Sequence, residues 1–255
     1  MFGAIILGIV QGLTEFLPVS STAHLILFPW FFGWSGDVNT LTFDIALHTG
    51  TLIALLICFY RDWIELITKK HRLFGLIILA SIPAGVTGFL LNDIVENALR
   101  EPLIISLMLV AVGFIMLIAE RANKYKDIEK TGLKDAVIIG IAQAIAIIPG
   151  VSRSGITISA GLFRGLERKA SARISFLLST PLIAGAIMLH FKKFIASQSN
   201  HDPELFSVGL ITSFITGFIA IKFLLNFLKK HPLNVFVYYR FALAVVIIIN
   251  IWLRG

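Results

Sequence analysis

The chain has little charge and almost no cysteine. Asp, Glu, Lys and Arg make up 15% of its 255 residues, and 57% of the residues are hydrophobic; soluble domains average about 25% charged residues. Cys58 is the single cysteine, so this chain cannot build a disulfide framework or a cluster of thiolate ligands. Every part of the chain carries apolar runs, which leaves no room for a soluble domain of ordinary size. The composition therefore predicts one membrane domain over residues 1–255.

Six apolar stretches are long enough to cross about 30 Å of hydrocarbon at about 1.5 Å per residue. They lie at residues 42–60, 73–91, 103–119, 174–190, 205–228 and 235–253. Two further apolar regions, residues 1–34 and 135–163, are interrupted by polar segments at 18–22 and 149–155. Such an interruption in a short helix favours a hairpin that returns to its own side over a crossing. The predicted fold is an all-α integral membrane protein with six spanning helices and two re-entrant helical hairpins.

The two halves of the chain resemble each other. A Gly-Ile pair, a glutamine and a serine-rich segment beside a proline occur within residues 8–22 and again within 140–154. A second similarity relates residues 75–92 to residues 209–226 at a constant offset of 134. One hairpin and three crossings per half make the second half enter the membrane from the opposite side, which predicts an inverted-topology repeat. The predicted repeats comprise about residues 1–128 and 129–255.

Lys and Arg are divided unequally between the two ends of the predicted spans. Of the 22, fifteen lie in loops on one side and four lie on the other. By the positive-inside rule the first side is cytoplasmic, which places both termini and the mouth of the first hairpin outside. Because these residues flank spans, the formal charge of +7 indicates topology and excludes a nucleic-acid-binding stripe. Lys222 and Arg240 lie within spans, where we expect them to snorkel or to line a cavity.

The first interruption concentrates polar residues at membrane depth, where they are costly. Gln11 and Glu15 are four residues apart, so they share a helix face and are predicted to bind a divalent cation. Ser21 or a water molecule is the predicted nucleophile, and His24, three residues further on the same face, is its acid/base partner. The remaining hydroxyls either bind substrate or satisfy backbone groups freed by the break. They belong to Ser20 and Thr22.

The second interruption has the parts of a phosphate-binding site. Gly150 and Gly155 allow backbone N–H groups to converge, and a helix N-terminus follows them. Arg153 supplies a planar fork of donors. If the hairpins meet, Arg153 can bind phosphate or form a buried ion pair with Glu15. The predicted substrate-binding hydroxyls of this segment belong to Ser152, Ser154 and Thr157.

Both interruptions carry long motifs. Residues 11–24 read QGLTEFLPVSSTAH and residues 149–157 read PGVSRSGIT. With these motifs, their spacing and the chain length, the sequence resembles the bacterial undecaprenyl-diphosphate phosphatases, also called the bacitracin-resistance phosphatases. The resemblance covers essentially the whole chain. Gln11 stands at a position where that family accepts either Glu or Gln.

The resemblance implies an activity, a location and residue roles. The reaction is hydrolysis of the C55 polyprenyl diphosphate to the monophosphate and inorganic phosphate, which recycles the lipid carrier of cell-wall synthesis. It implies a Mg or Ca requirement and a bacterial inner-membrane protein whose active site opens to the outer, periplasmic side. Glu15 is then metal-linked, Ser21 is the nucleophile and His24 its partner. Diphosphate is bound by Arg153, Ser152 and Thr157.

Several alternatives stay open. Inverted repeats with re-entrant hairpins also build transporters, so a secondary transporter or flippase of an anionic polyprenyl phosphate is the rival function. A carrier needs binding groups but no nucleophile, and Ser21, His24 and Glu15 therefore favour the phosphatase. Asp44 and His48, four residues apart on the first span, are candidates for a substrate contact. The sequence leaves open whether the protein is a monomer or a homodimer.

Overall fold

The computed structural model describes residues 1–196 and 202–254, and these residues form no β-strand. Ten α-helices, numbered here in chain order, account for most of them. The first five are α1 (Phe2–Phe16), α2 (Ser21–Phe32), α3 (Leu41–Thr68), α4 (His71–Ala98) and α5 (Pro102–Glu120). The last five are α6 (Leu133–Ile145), α7 (Arg153–Phe163), α8 (Arg168–Ala196), α9 (Pro203–Phe227) and α10 (Asn234–Arg254). The predicted all-α class is confirmed.

Six of these helices, α3 to α5 and α8 to α10, are long and apolar enough to cross a membrane. They coincide with the six predicted spans, which are thereby confirmed, although most are longer than predicted. Helix α3 continues to Thr68 across non-helical backbone at Phe59. After this kink the helix buries Leu66 and exposes Arg61. It therefore continues as an amphipathic segment, which a search for purely apolar runs does not detect.

The other four helices are short and form two hairpins. Helices α1 and α2 have 15 and 12 residues, and α6 and α7 have 13 and 11. At about 1.5 Å per residue, none reaches the about 30 Å of a hydrocarbon core. The breaks lie at residues 17–20 and 146–152, earlier than the predicted 18–22 and 149–155. They end earlier because Ser20 and Ser152 cap helices that begin at the next residue.

Helix packing relates the two halves of the chain. Helix α1 packs on α9 and α6 packs on α4, while α3 contacts α8 and α5 contacts α10. If each of α1 to α5 is replaced by its counterpart among α6 to α10, and the reverse, the α1–α9 contact becomes the α6–α4 contact. The α3–α8 and α5–α10 contacts each remain the same contact. This is the pattern that a duplicated unit with two-fold symmetry produces. The inverted orientation of the two repeats stays a prediction that this pattern supports.

Two glycines allow the hairpins to lie close to spanning helices. A Cβ at Gly12 of α1 would lie 1.9 Å from Oγ1 of Thr216 and 2.6 Å from the backbone nitrogen of Gly217 on α9. A Cβ at Gly140 of α6 would lie 2.6 Å from the carbonyl oxygen of Ala80 on α4. Small residues permit such backbone contact between membrane helices. The contacts fix the first helix of each hairpin, and with it the position of the break that follows.

Ion pairs join helix ends on the side rich in Lys and Arg. Glu120 at the end of α5 accepts hydrogen bonds from Nε and Nη2 of Arg168 at the start of α8. Asp135 at the start of α6 accepts a hydrogen bond of 2.7 Å from Nε of Arg164, which follows α7. The Asp135–Arg164 pair joins the two ends of the second hairpin that lie farthest from its break. The break therefore lies at the opposite end of the hairpin from the side rich in Lys and Arg.

Candidate active site

The first break is held in an unusual backbone conformation. Leu17 is extended, and the backbone N–H of Val19 donates to the carbonyl of Leu17 at 2.7 Å. Ser20 has φ 78° and ψ 93°, and its Oγ accepts a hydrogen bond from the backbone N–H of Ala23. This serine, rather than Ser21, is therefore the N-cap of α2. The cap leaves the hydroxyl of Ser21 free to contact another helix.

The second break repeats the same device. Ser152 has φ 69° and ψ 108°, and its Oγ accepts from the backbone N–H of Gly155 at 3.2 Å. Among the described residues, Ser20 and Ser152 are the two non-glycine residues with positive φ. Such conformations cost of the order of 1–3 kcal/mol each and are concentrated at functional sites. Each strained serine sets the direction of the residue after it, Ser21 in one hairpin and Arg153 in the other.

The two hairpins meet at the carboxylate of Glu15. Ser21 Oγ donates to Oε2 of Glu15 at 2.5 Å, and Arg153 Nη2 donates to Oε1 at 2.6 Å. Gln11 Nε2 donates to Oε2 at 3.1 Å. A second link between the hairpins is the hydrogen bond from Ser154 Oγ to the carbonyl of Leu17. The structure thus joins three of the predicted site residues around the buried carboxylate of a fourth.

A cavity of about 360 Å³ lies beside this cluster. At its polar end the cavity is lined by Glu15, Ser21 and Arg153. An apolar arm then runs between the middle and later turns of α4 and α8, past Gly85 and Leu189. Arg153 Nη1 is buried and has no hydrogen-bond partner in the described part of the chain. One arm of the guanidinium therefore holds Glu15, and the other is available to a ligand.

The predicted substrate-binding hydroxyls divide into two groups. Ser20, Thr22 and Ser152 line the cavity. Ser154 and Thr157 instead satisfy protein groups: Ser154 donates to Leu17 across the hairpins, and Thr157 Oγ1 is 2.7 Å from both the carbonyl of Arg153 and Oγ of Ser175. Both are buried away from the cavity lining because α7 turns them toward other helices. Their proposed contact with substrate stays a prediction.

His24 is not brought to the hydroxyl of Ser21. Its Nδ1–H donates to the carbonyl of Ser20 at 2.7 Å, and its Nε2 lies 2.7 Å from the hydroxyl of Tyr239. Because a carbonyl can only accept, Nδ1 carries a proton, and in the neutral form of the ring Nε2 accepts from Tyr239. The two residues share a helix face, but the ring points toward α10 while Ser21 points toward Glu15. The acid/base role of His24 stays a prediction.

His48 on α3 lines the cavity and lies near Glu15. Its Nε2 is 3.8 Å from Oε2 of Glu15, and its Nδ1–H donates to the carbonyl of Asp44 at 2.7 Å. Asp44 in turn lies 4.0 Å from Nη2 of Arg100. The spacing of Asp44 and His48 marked them as candidates, and the structure places the histidine, rather than the aspartate, at the cavity.

Arg240 neither snorkels nor lines the cavity, so that expectation was wrong. It is fully buried in the interior. Its Nη1 donates to the carbonyl of Pro18 in the first break, and its Nη2 donates to the carbonyls of Gly150 and Val151 in the second. Further hydrogen bonds reach α5, at the carbonyls of Met108 and Leu109. A cation inside an apolar span was the sequence signal, but its partners are backbone groups, which no residue pattern reveals.

A second residue that sequence reasoning did not assign to the site is Gln143 on α6. It lines the cavity and is buried, with neither amide atom hydrogen-bonded to the described residues. Its signal was present in the repeat, which pairs it with Gln11.

Comparison with known proteins identifies the family. The family model described as "Bacitracin resistance protein BacA" matches residues 4–246. The chain belongs to the BacA family. Both breaks and all the cavity-lining residues lie inside the matched region. The resemblance seen in the two motifs is therefore confirmed across the chain.

Curated BacA relatives match over their full length. A protein of Thermodesulfovibrio yellowstonii named "Undecaprenyl-diphosphatase" is 59% identical over 255 residues, which cover 100% of this chain and 99% of the relative. Proteins with the same name from Desulforudis audaxviator and Moorella thermoacetica are 46% and 47% identical, over 100% and 98% of this chain and 99% and 98% of their own lengths.

Proposed function

We propose that this chain is an undecaprenyl-diphosphatase, which hydrolyses the C55 polyprenyl diphosphate to polyprenyl monophosphate and inorganic phosphate. The BacA relatives described above carry that name. The observation that carries the proposal is the meeting of Ser21 and Arg153 on the two oxygens of Glu15, at the polar end of a cavity with an apolar arm. The activity recycles the lipid carrier of cell-wall synthesis and so confers bacitracin resistance.

The hydrogen bond between Ser21 and Glu15 supports a role for Glu15 as the base that accepts the serine proton. As Oγ of Ser21 bonds to the terminal phosphorus, Oε2 of Glu15, 2.5 Å away, takes its proton. The bond between that phosphorus and the bridging oxygen breaks, and polyprenyl monophosphate leaves as an anion that needs no proton. Water then bonds to the phosphorus of the phosphoserine and the bond from phosphorus to Oγ breaks. Oγ takes back the proton held by Glu15, and inorganic phosphate leaves with the protons of the water. Direct attack by water is the competing route, with Glu15 as base.

Arg153 holds the group that reacts. Its Nη2 keeps Glu15 in place, and its unpartnered Nη1 is available to donate to a phosphate oxygen. Thr22 and Ser152, which also carry hydroxyl donors, line the same cavity. These donors are positioned before substrate arrives, and they stabilise charge that develops on the phosphoryl oxygens.

The apolar arm suits the polyprenyl chain. It lies between α4 and α8 and includes Gly85, Gly88 and Gly185, where an added Cβ would meet no atom within 4 Å. An apolar chain placed there leaves the diphosphate at the polar end. A lipid that lies in the bilayer can thus present its head group to Ser21 and Arg153 without leaving the membrane.

A divalent cation, Mg or Ca, fits the residues at the polar end. Gln11 Oε1 is buried and has no partner in the described chain, and Glu15 supplies the carboxylate. The described residues bring no three His, Cys, Asp or Glu side chains together as a metal site. Glu15 and Gln11 would therefore hold the ion together with phosphate oxygens and water, as Mg sites commonly do. When bound, the ion would neutralise charge on the diphosphate.

We further propose that the protein lies in the bacterial inner membrane with its cavity open to the periplasm. The cavity-lining residues occupy the middle and later turns of α4 and α8. These turns are distant from the starts of both helices, where the basic residues lie: Arg72, Arg168 and Arg173. By the positive-inside rule, the ends that the cavity approaches face outward.

The test is phosphate release from C55 polyprenyl diphosphate by the purified, detergent-solubilised protein. We expect release that stops with a chelator and resumes with Mg or Ca. Ser21→Ala and Glu15→Gln should each lower kcat by about 100-fold or more, because they remove the nucleophile and its base. Ser106→Ala is the matched control, since this buried serine on α5 donates only to the carbonyl of Leu103.

Two other outcomes carry distinct meanings. Ser21→Ala that retains turnover, with no phosphoserine trapped by rapid acid quench, would assign the attack to water. A folded wild-type protein that releases no phosphate but moves polyprenyl phosphate across vesicle membranes would refute the phosphatase and favour the flippase.

A further inference from the structure

Gln143 is a buried residue of the cavity lining, and its amide has no hydrogen-bond partner among the described residues. It lies on the last turns of α6 with 1% of its surface exposed, and it lines the cavity. Neither Oε1 nor Nε2 hydrogen-bonds to any described residue. Ser81 also lines the cavity, and its hydroxyl donates to the carbonyl of Ile77 at 2.8 Å. Buried polar groups are normally hydrogen-bonded, and an exception needs an explanation.

The repeat shows what is missing at Gln143. Its equivalent, Gln11, donates from Nε2 to Glu15, four residues further along the same helix. Four residues after Gln143 the chain has Ile147, which offers no acceptor. The same amide in the same position of the hairpin therefore has an internal anionic partner in one repeat and none in the other.

We propose that Gln143 is a further substrate-binding residue, whose Nε2–H donates to a nonbridging oxygen of the bound diphosphate. The inference rests on the proposed function. A second unpartnered donor, Nη1 of Arg153, lines the same cavity. Two unsatisfied N–H donors on residues that line one cavity match an anion that presents several acceptor oxygens. The ligand then takes the place that the Glu15 carboxylate has beside Gln11.

The chosen variant separates binding from stability. Gln143→Met keeps the length of the side chain but removes the donor and the acceptor. Because an unsatisfied buried amide destabilises the protein, the ligand-free variant should unfold at or above the wild-type temperature. A purely structural amide predicts the opposite. The control is Ser171→Ala, since Ser171 Oγ is also buried, lacks a partner among the described residues and lies outside the cavity lining.

The experiment measures thermal unfolding of the full chain in detergent, with and without inorganic diphosphate. We expect diphosphate to raise the unfolding temperature of the wild type and of Ser171→Ala. In Gln143→Met that rise should fall to less than about half, since one charge-assisted hydrogen bond is lost. With C55 polyprenyl diphosphate, kcat/KM should fall about tenfold or more, chiefly through a higher KM.

The contrary results are equally definite. A wild-type diphosphate response in Gln143→Met overturns the assignment. If Gln143→Met and Gln143→Leu both unfold below the wild type without ligand, the amide is structural and the assignment also fails. A wild type that binds inorganic diphosphate but releases no phosphate from the C55 substrate refutes the proposed function alone, and Gln143 is then judged on the binding measurement.

Discussion

Ser21 and Arg153 hydrogen-bond to opposite oxygens of Glu15, at 2.5 Å and 2.6 Å. They occupy equivalent positions of the two predicted repeats, each the first residue of its helix after a serine N-cap with positive φ. The same backbone conformation in the two hairpins thus presents two different side chains to one carboxylate.

Arg153→Lys should lower kcat/KM by about 100-fold while the fold is kept. Lysine carries the same charge, but one ammonium cannot hold Glu15 and also donate to phosphate in the planar geometry of the guanidinium. Phosphate release and the circular dichroism spectrum in detergent test this. Full activity of the lysine variant would show that charge alone suffices and that the fork of donors is unimportant.

Arg240→Met should destabilise the protein by at least about 3 kcal/mol, because buried carbonyl groups lose their donor. It should also lower turnover, since the guanidinium binds Pro18 in one break and Gly150 in the other. Arg254→Met is the control: this exposed arginine also donates to backbone carbonyls, but at the end of α10. Its loss should cost less than about 1 kcal/mol. Equal unfolding temperatures for the two variants would contradict the role given to Arg240.

Gly85→Phe should discriminate between substrates of different chain length. The new side chain enters the apolar arm, so kcat/KM for the C55 diphosphate should fall about tenfold or more, while that for a C15 diphosphate changes about threefold at most. The control is Gly75→Phe on the same helix, because an added Cβ at Gly75 also meets no atom within 4 Å but Gly75 lies outside the cavity lining. This control should behave like the wild type. A parallel loss for both substrates would place the chain elsewhere.

The orientation predicts which introduced cysteines are accessible in intact cells. Ser35 lies exposed between α2 and α3, and Lys229 lies exposed after α9. In a Cys58→Ala background, an impermeant thiol reagent should label Ser35→Cys from outside. It should label Lys229→Cys only after lysis. The reverse pattern would invert the proposed topology and place the cavity toward the cytoplasm.

The sequence by itself determined the membrane class, the six spans and the two interrupted helices. These follow from apolar runs, which report how each segment is solvated and need no knowledge of its neighbours. The motifs similarly indicated Glu15, Ser21 and Arg153, because charged and nucleophilic groups at membrane depth are costly without a function. The first and last residues of the two breaks were less well predicted. Ser20 and Ser21 have the same side chain, so the sequence does not indicate which of them is the N-cap.

Only the tertiary structure decided which polar groups are paired. Sequence spacing placed His24 beside Ser21, but neighbouring helices turn the ring to Tyr239 and the hydroxyl to Glu15. Arg240 joins both breaks through backbone carbonyls, which every residue type has and no pattern distinguishes. Which nitrogen of Arg153 has no partner among the described residues likewise depends on its contact with Glu15, more than one hundred positions away. Helix faces are set by local periodicity, whereas hydrogen-bond partners are set by how those faces meet.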